Sequence, residues 1–151
     1  MDKLIRQYDK LNLPELKEHH VVSVGRIDGR MMDFLREKAP AFASHIEEGT
    51  EILFWDDRLQ HVESHRRDFF SDALFDRCLE DVPSILREPD YIAVKPENGS
   101  MSFIRTISQN VTVAVRVYPA GKISFRTMYS ITQAQLSDYV KKNRAWKYSR
   151  S

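Results

Sequence analysis

The sequence predicts an α+β fold: N-terminal helices packed on one face of a C-terminal antiparallel sheet of about four strands, with a C-terminal helix. Three observations carry this expectation. Apolar residues recur at helical spacing through most of the first half. After Pro89 the period falls to two, over four runs rich in β-branched and aromatic residues. Helical spacing then returns behind Thr132.

Taken in order, "DKLIRQYDKLNL" spaces Leu4, Ile5, Tyr8 and Leu11 as one helical face, and Pro14 marks its break. "HVVSVGRI" reads as a short strand. "GRMMDFLREKAPAFASHIEEG" returns to helical spacing through Met31, Phe34 and Leu35, with Pro40 as a kink or boundary. "EILFW" is an aromatic-rich strand, and Asp56 or Asp57 is suited to cap the helix after it. That helix carries His61 and His65. "ALFDRCLEDVPSILRE" is helical up to the Pro89 turn, Pro83 opening a second helical segment. The strands "YIAVK", "MSFIRTIS", "VTVAVRVY" and "KISFRTMY" follow, the first two separated by the turn "PENGS". "TQAQLSDYVKKN" is the closing helix, with Thr132 as its N-cap.

The last hairpin permits a register. A three-residue loop of Pro119, Ala120 and a left-handed Gly121 pairs Tyr118 with Lys122, Val117 with Ile123 and Val115 with Phe125, which makes one face consistently apolar. Arg116 and Ser124 then pair on the other face, with Arg126 one step along. The turn before "VTVAVRVY" offers no such register, and the face of Arg105 stays open.

A chain of 151 residues with 42% hydrophobic content is long enough for one folded domain spanning 1–151. Its single cysteine, Cys78, excludes an internal disulfide and a cysteine-rich zinc module, and reads as a buried small hydrophobe. No apolar run approaches a membrane span, and "MDKLIRQYDK" lacks a signal peptide's apolar stretch. The expectation is a soluble cytoplasmic protein with no membrane partner. The formal charge of +1 excludes a general polyanion binder, so contact with nucleic acid must come from local clustering. Positive charge gathers in "KKNRAWKYSR", where Lys141, Lys142, Arg144, Lys147 and Arg150 surround Trp146 and Tyr148. This is either a solvated tail or a phosphate contact with aromatic stacking.

The chemistry-bearing stretch is "LFWDDRLQHVESHRRDF", which sets His61 and His65 four residues apart beside Arg58, Arg66 and Arg67. Three readings stand: a solvated helix face, half of a zinc site, or the acid–base end of a phosphate-handling cleft. Zinc would need a third ligand, while His19, His20 and His45 are scattered and the "HExxH" placement is missing. Acid–base work suits imidazole near neutral pH. RNA transesterification asks for a base at the 2′-hydroxyl, cations at the pentacovalent phosphate and an acid at the leaving 5′-oxygen, and it requires no metal. The strands can supply the cations and hydroxyls: "SFIRTIS" and "SFRTMY" give Arg105, Thr106, Ser108, Arg126, Thr127 and Tyr129, each alternatively an exposed sheet residue.

Together "RLQHVESHRRDF", "ILREPDYI", "FIRTIS", "VTVAVRV" and "GKISFRTMY" resemble the phage-associated branch of the superfamily uniting barnase, EndoU, colicin and RelE-like ribonucleases. The resemblance covers residues 52–145 as a nuclease-like core and leaves 1–50 as a mainly helical extension. The histidine helix and the Pro89–Asp90 turn entering the first strand carry it. It implies helices on a four-stranded antiparallel sheet and metal-independent RNA cleavage, without a cofactor, at the sheet's open face. His61 and His65 would be the acid–base pair, Arg105, Arg116 and Arg126 the phosphate clamp, and Thr127 and Tyr129 supporting hydroxyls. Thr106, Ser108, Ser124, Lys142 and Arg144 complete the candidate substrate-binding set. The function so implied is a metal-independent endoribonuclease, a phage or prophage toxin or effector that cuts RNA, with tRNA one candidate substrate, to a 2′,3′-cyclic phosphate. Toxicity would require a neutralising protein partner. The alternative is a non-catalytic protein that binds RNA or a host protein on a nuclease-like fold. The oligomeric state is not set by the sequence.

Overall fold

Phe125 and Met128 are both fully buried although three residues apart, so the strand that carries them must break its two-residue alternation between them. The computed structural model, which describes residues 4–118 and 121–148, shows how. The described residues form a seven-stranded sheet in the order β1-β2-β6-β5-β4-β3-β7. These strands are β1 (Val21–Arg26), β2 (Glu51–Trp55), β3 (Tyr91–Lys95), β4 (Ser100–Ile107), β5 (Gln109–Val117), β6 (Ile123–Ile131) and β7 (Ala145–Lys147). The helices are α1 (Leu13–His19), α2 (Gly29–Lys38), α3 (Pro40–Ala43), α4 (Arg58–Glu63), α5 (Asp72–Glu80), α6 (Val82–Arg87) and α7 (Gln133–Lys141).

The α+β class stands, but a sheet of about four strands is too small. β1 and β2, recognised as strands, join the same sheet because β2 pairs with β6 in parallel, Ile52 beside Ile123 and Leu53 beside Ser124. A parallel pairing across some seventy residues leaves no local pattern for a sequence to show. β7 lies inside the basic stretch read as either a solvated tail or a phosphate contact: Ala145–Lys147 pairs with β3, and Tyr148 behind it is buried against Phe34 and Arg30.

The expected first helix is also corrected. Residues 4–12 run irregularly along β1, where the Gln7 N–H donates to the Ser23 carbonyl and the Ser23 N–H to the Ile5 carbonyl. The helix begins only after Asn12, whose side chain caps Glu15, and Pro14 opens it in its first turn. A proline there sacrifices no helical hydrogen bond, so it served as a start rather than a stop. Pro40 and Pro83 likewise open α3 and α6.

The core lies on one side of the sheet, where Phe54, Phe103, Phe125 and Met128 meet Met32 and Leu35 of α2 and Phe75 and Ile85 of α5 and α6. Phe54 stacks on Phe125 with ring centres 4.0 Å apart. The other side is only partly covered. α7, closed by a capping box at Thr132 and Gln135, seals a small cluster of Ile104, Ile131 and Leu136 there. The rest of this outer face is mainly polar.

The hairpin register matches expectation: Val117 pairs with Ile123, Arg116 with Ser124 and Val115 with Phe125, while Tyr118 bonds Lys122 and Gly121 is left-handed at φ 77°. Pro119 and Ala120 of that loop lie outside the described residues. One pair further the register slips, Ala114 facing Thr127, so Arg126 is an extra residue in a β-bulge. Arg126 and Thr127 therefore both turn to the outer face, and Met128 returns to the core.

Candidate active site

α4 packs against β6 beyond the short pairing of β2 with that strand, and so walls the outer face on one side. Asp57 occupies its N-cap position but makes no capping hydrogen bond, and the Asp56 carboxylate is instead 2.9 Å from His20 Nδ1. The helix is shorter than its sequence suggested: it holds His61 but ends at Glu63, and His65 begins a 3-10 turn at Arg66–Asp68. The two imidazoles nevertheless meet edge to face, centres 5.8 Å apart, and the His65 ring is the same distance from Tyr129 on the sheet. His65 Nδ1 is 3.2 Å from the Asp68 carboxylate, which orients the ring.

Three guanidinium groups converge opposite this pair. Arg58 Nε donates to the Arg126 carbonyl at 2.8 Å, and Arg126 donates to the Tyr118 hydroxyl at 3.0 Å. The buried Nε of Arg116 has no partner, nor have the buried hydroxyls of Thr112 and Thr127 on the same face. None of the salt bridges among the described residues involves Arg58, Arg116 or Arg126. Buried donors without partners are costly in a folded protein, and clustered cations repel one another. An anion placed among them would relieve both.

The electrostatics follow. Desolvation, then the Arg126 charge, lowers the Arg58 guanidinium from its ordinary value, Arg116 adding to the effect. His61 is lowered from the ordinary imidazole value by desolvation first and then by Arg58, His65 and Arg126, so its neutral form is favoured. Burial chiefly, with Tyr139 adding to it, raises the Tyr129 phenol despite a hydrogen bond with Ser102, which keeps it a neutral donor.

Of the expected residues, the fold gathers His61, His65, Arg116, Ser124, Arg126, Thr127 and Tyr129 at this one place. The others lie elsewhere. Arg105 belongs to the opposite face, bonded to Ser84 of α6 at 3.1 Å and 3.6 Å from Glu88, so it is no part of this cluster. Its place there follows from pairing with buried Val111. Thr106 and Ser108 sit at the β4–β5 turn, in a separate hollow beside Asp68 and Gln109, Thr106 bonding Asn110. Lys142 pairs with Asp138, and Arg144 with Glu97 at the β7 edge. Arg66 is spent on Glu63 and Asp76.

Arg58, Asp68, Thr112 and Tyr118 complete the cluster without having been counted among the site residues. Arg58 and Asp68 had a local sign, standing three residues before His61 and three after His65. Among the described residues no three histidine, cysteine, aspartate or glutamate side chains are grouped to hold a metal ion.

An α+β sheet bearing paired histidines against arginines free of salt bridges on a half-open face has the chemistry to take up an anion. A family model described as phage-Barnase-EndoU-ColicinE5/D-RelE like nuclease3 matches residues 31–138, and the chain belongs to that family. The matched span begins in α2, well before the 52–145 core that the resemblance outlined, and ends in α7. No curated protein and no solved structure matches the chain.

Proposed function

We propose that the protein is a metal-independent endoribonuclease that cleaves RNA by attack of the 2′-hydroxyl on the adjacent phosphate. The observation that carries this reading is the convergence of Arg58, Arg116 and Arg126, none in a salt bridge, opposite His61 and His65. Neutral His61 takes the 2′-hydroxyl proton as the O2′–P bond forms. The guanidinium groups and the Thr127 and Tyr129 hydroxyls stabilise charge on the pentacovalent phosphate. His65, oriented by Asp68, gives a proton to the 5′-oxygen as the P–O5′ bond breaks. The products are a 2′,3′-cyclic phosphate and a 5′-hydroxyl end. In this reading the protein acts in the cytoplasm as a phage or prophage effector, and a neutralising protein partner restrains it.

The test is incubation of the purified chain with total cellular RNA in excess EDTA, beside the His61→Ala/His65→Ala double variant, with product ends assayed for cyclic phosphate. Cleavage by the parent alone, about 100- to 10,000-fold above the double variant, is expected. No cleavage by the folded parent, or equal cleavage by both proteins, overturns the reading and favours a binding protein on a nuclease-like scaffold.

A further inference from the structure

Trp55 is conspicuous beside the arginine cluster. It follows Phe54, which is fully buried, and alternation sends it to the outer face, where it is 45% exposed. β2 runs parallel to β6 with Leu53 beside Ser124, so Trp55 comes level with Arg126. Both line one hollow of about 310 Å³ together with Asp57, Arg58, Tyr118 and Ser124. This exposed indole shares its hollow with Arg58 and Arg126, neither of which is in a salt bridge among the described residues.

We propose that Trp55 is the stacking platform for a nucleobase of single-stranded RNA whose adjoining phosphate sits on Arg58, Arg116 and Arg126. The inference rests on the ribonuclease reading for its substrate class. Asp57 also lines the hollow, and its carboxylate can accept a hydrogen bond from the base, since all four bases carry an N–H donor on the edge they use for pairing. Arg58 and Arg126 on the same hollow take the phosphate. A π-face is common to every base, so the platform tolerates sequence but not strandedness: bases stacked within a duplex cannot lie on an indole.

The experiment uses the His61→Ala/His65→Ala protein, which allows binding to be measured without cleavage. A fluorescein-labelled single-stranded oligoribonucleotide and the matched duplex serve as probes. In a Trp146→Phe background, Trp55 is the sole tryptophan, and its emission should quench as the single strand binds. Trp55→Ala should weaken single-strand affinity about five- to a hundredfold, Trp55→Phe less than about threefold, with the melting temperature of both unchanged. Duplex affinity should not respond to either change.

Unaltered single-strand affinity in a folded Trp55→Ala variant, or no quench on binding, overturns the proposal and leaves the indole to a protein partner. The two readings fail separately. A parent that cleaves while Trp55→Ala binds normally removes only the platform, and a parent that never cleaves removes the nuclease chemistry while the affinity change still judges the platform.

Discussion

His61 is surrounded by positive charge, and its protonation decides the pH range in which the proposed chemistry can run. A general base must be neutral, so activity rises as pH climbs through its pKa. Desolvation and the charges of Arg58, His65 and Arg126 lower that pKa, so the acid limb of kcat/KM should lie below the ordinary imidazole value of about 6.5. Arg58→Gln removes the largest of those charges and should move the limb upward, besides lowering the plateau. A pH–rate profile of both proteins checks this; a limb that stays in place would take Arg58 out of His61's surroundings. At this scale the sequence identified residue types but not their company. His61 and His65 were visible as a spacing, whereas Arg105 and Arg126 looked alike in their Arg-Thr dipeptides. Only strand pairing separates them, one toward Ser84 of α6 and the other toward Tyr118.

At the scale of elements, the bulge in β6 and the cap of α7 build the site. The bulge places Arg126 and Thr127 successively on one face, an arrangement that strict alternation forbids. The spacing of Phe125 and Met128 held the clue, but it becomes informative only once both are known to be buried. α7 follows β6 directly, and its capping box joins the Thr132 hydroxyl to the Gln135 N–H and the Gln135 side chain to the Thr132 N–H. Thr132→Ala should cost about 1 kcal/mol, a fall in Tm of about 2–4 °C for a chain of this size. Thermal unfolding followed by circular dichroism measures it, and no change would mean the cap contributes nothing. The helices capped by Asp28, Ser71 and Thr132 were legible. The length of α4 was not, because Asp57 leaves its N-cap unbonded and the backbone tightens into a 3-10 turn before His65.

For the molecule as a whole, Glu51 ties the N-terminal segment to the sheet. Burial raises its carboxyl, but hydrogen bonds from Ser23, Tyr8 and Arg6 outweigh this and leave it lowered. A carboxylate lowered in the native state contributes stability above the unfolded glutamate value, near 4.3, and the contribution is lost as pH falls through the native value. Glu51→Gln should therefore destabilise the protein at neutral pH, by about 1–3 kcal/mol, and flatten its loss of stability on acidification. Melting temperatures of parent and variant between neutral and acidic pH test this, and parallel curves would refute it. The same network explains why residues 4–12 are not helical. A helical spacing of Leu4, Ile5, Tyr8 and Leu11 competes with long-range bonds to Ser23 and Glu51, and the long-range bonds prevail. By itself the sequence determined the α+β class, most strand segments and the final hairpin's register, because periodicity, turn residues and caps act within a few neighbours; the nuclease family came through as a resemblance of motifs. The tertiary structure alone decided that β1, β2 and β7 extend one sheet, that Arg105 leaves the site, and that Arg58, Arg116, Arg126 and Trp55 gather beside two histidines. Those outcomes depend on contacts between residues far apart in the chain, whose free energy exists only when the whole sheet has formed.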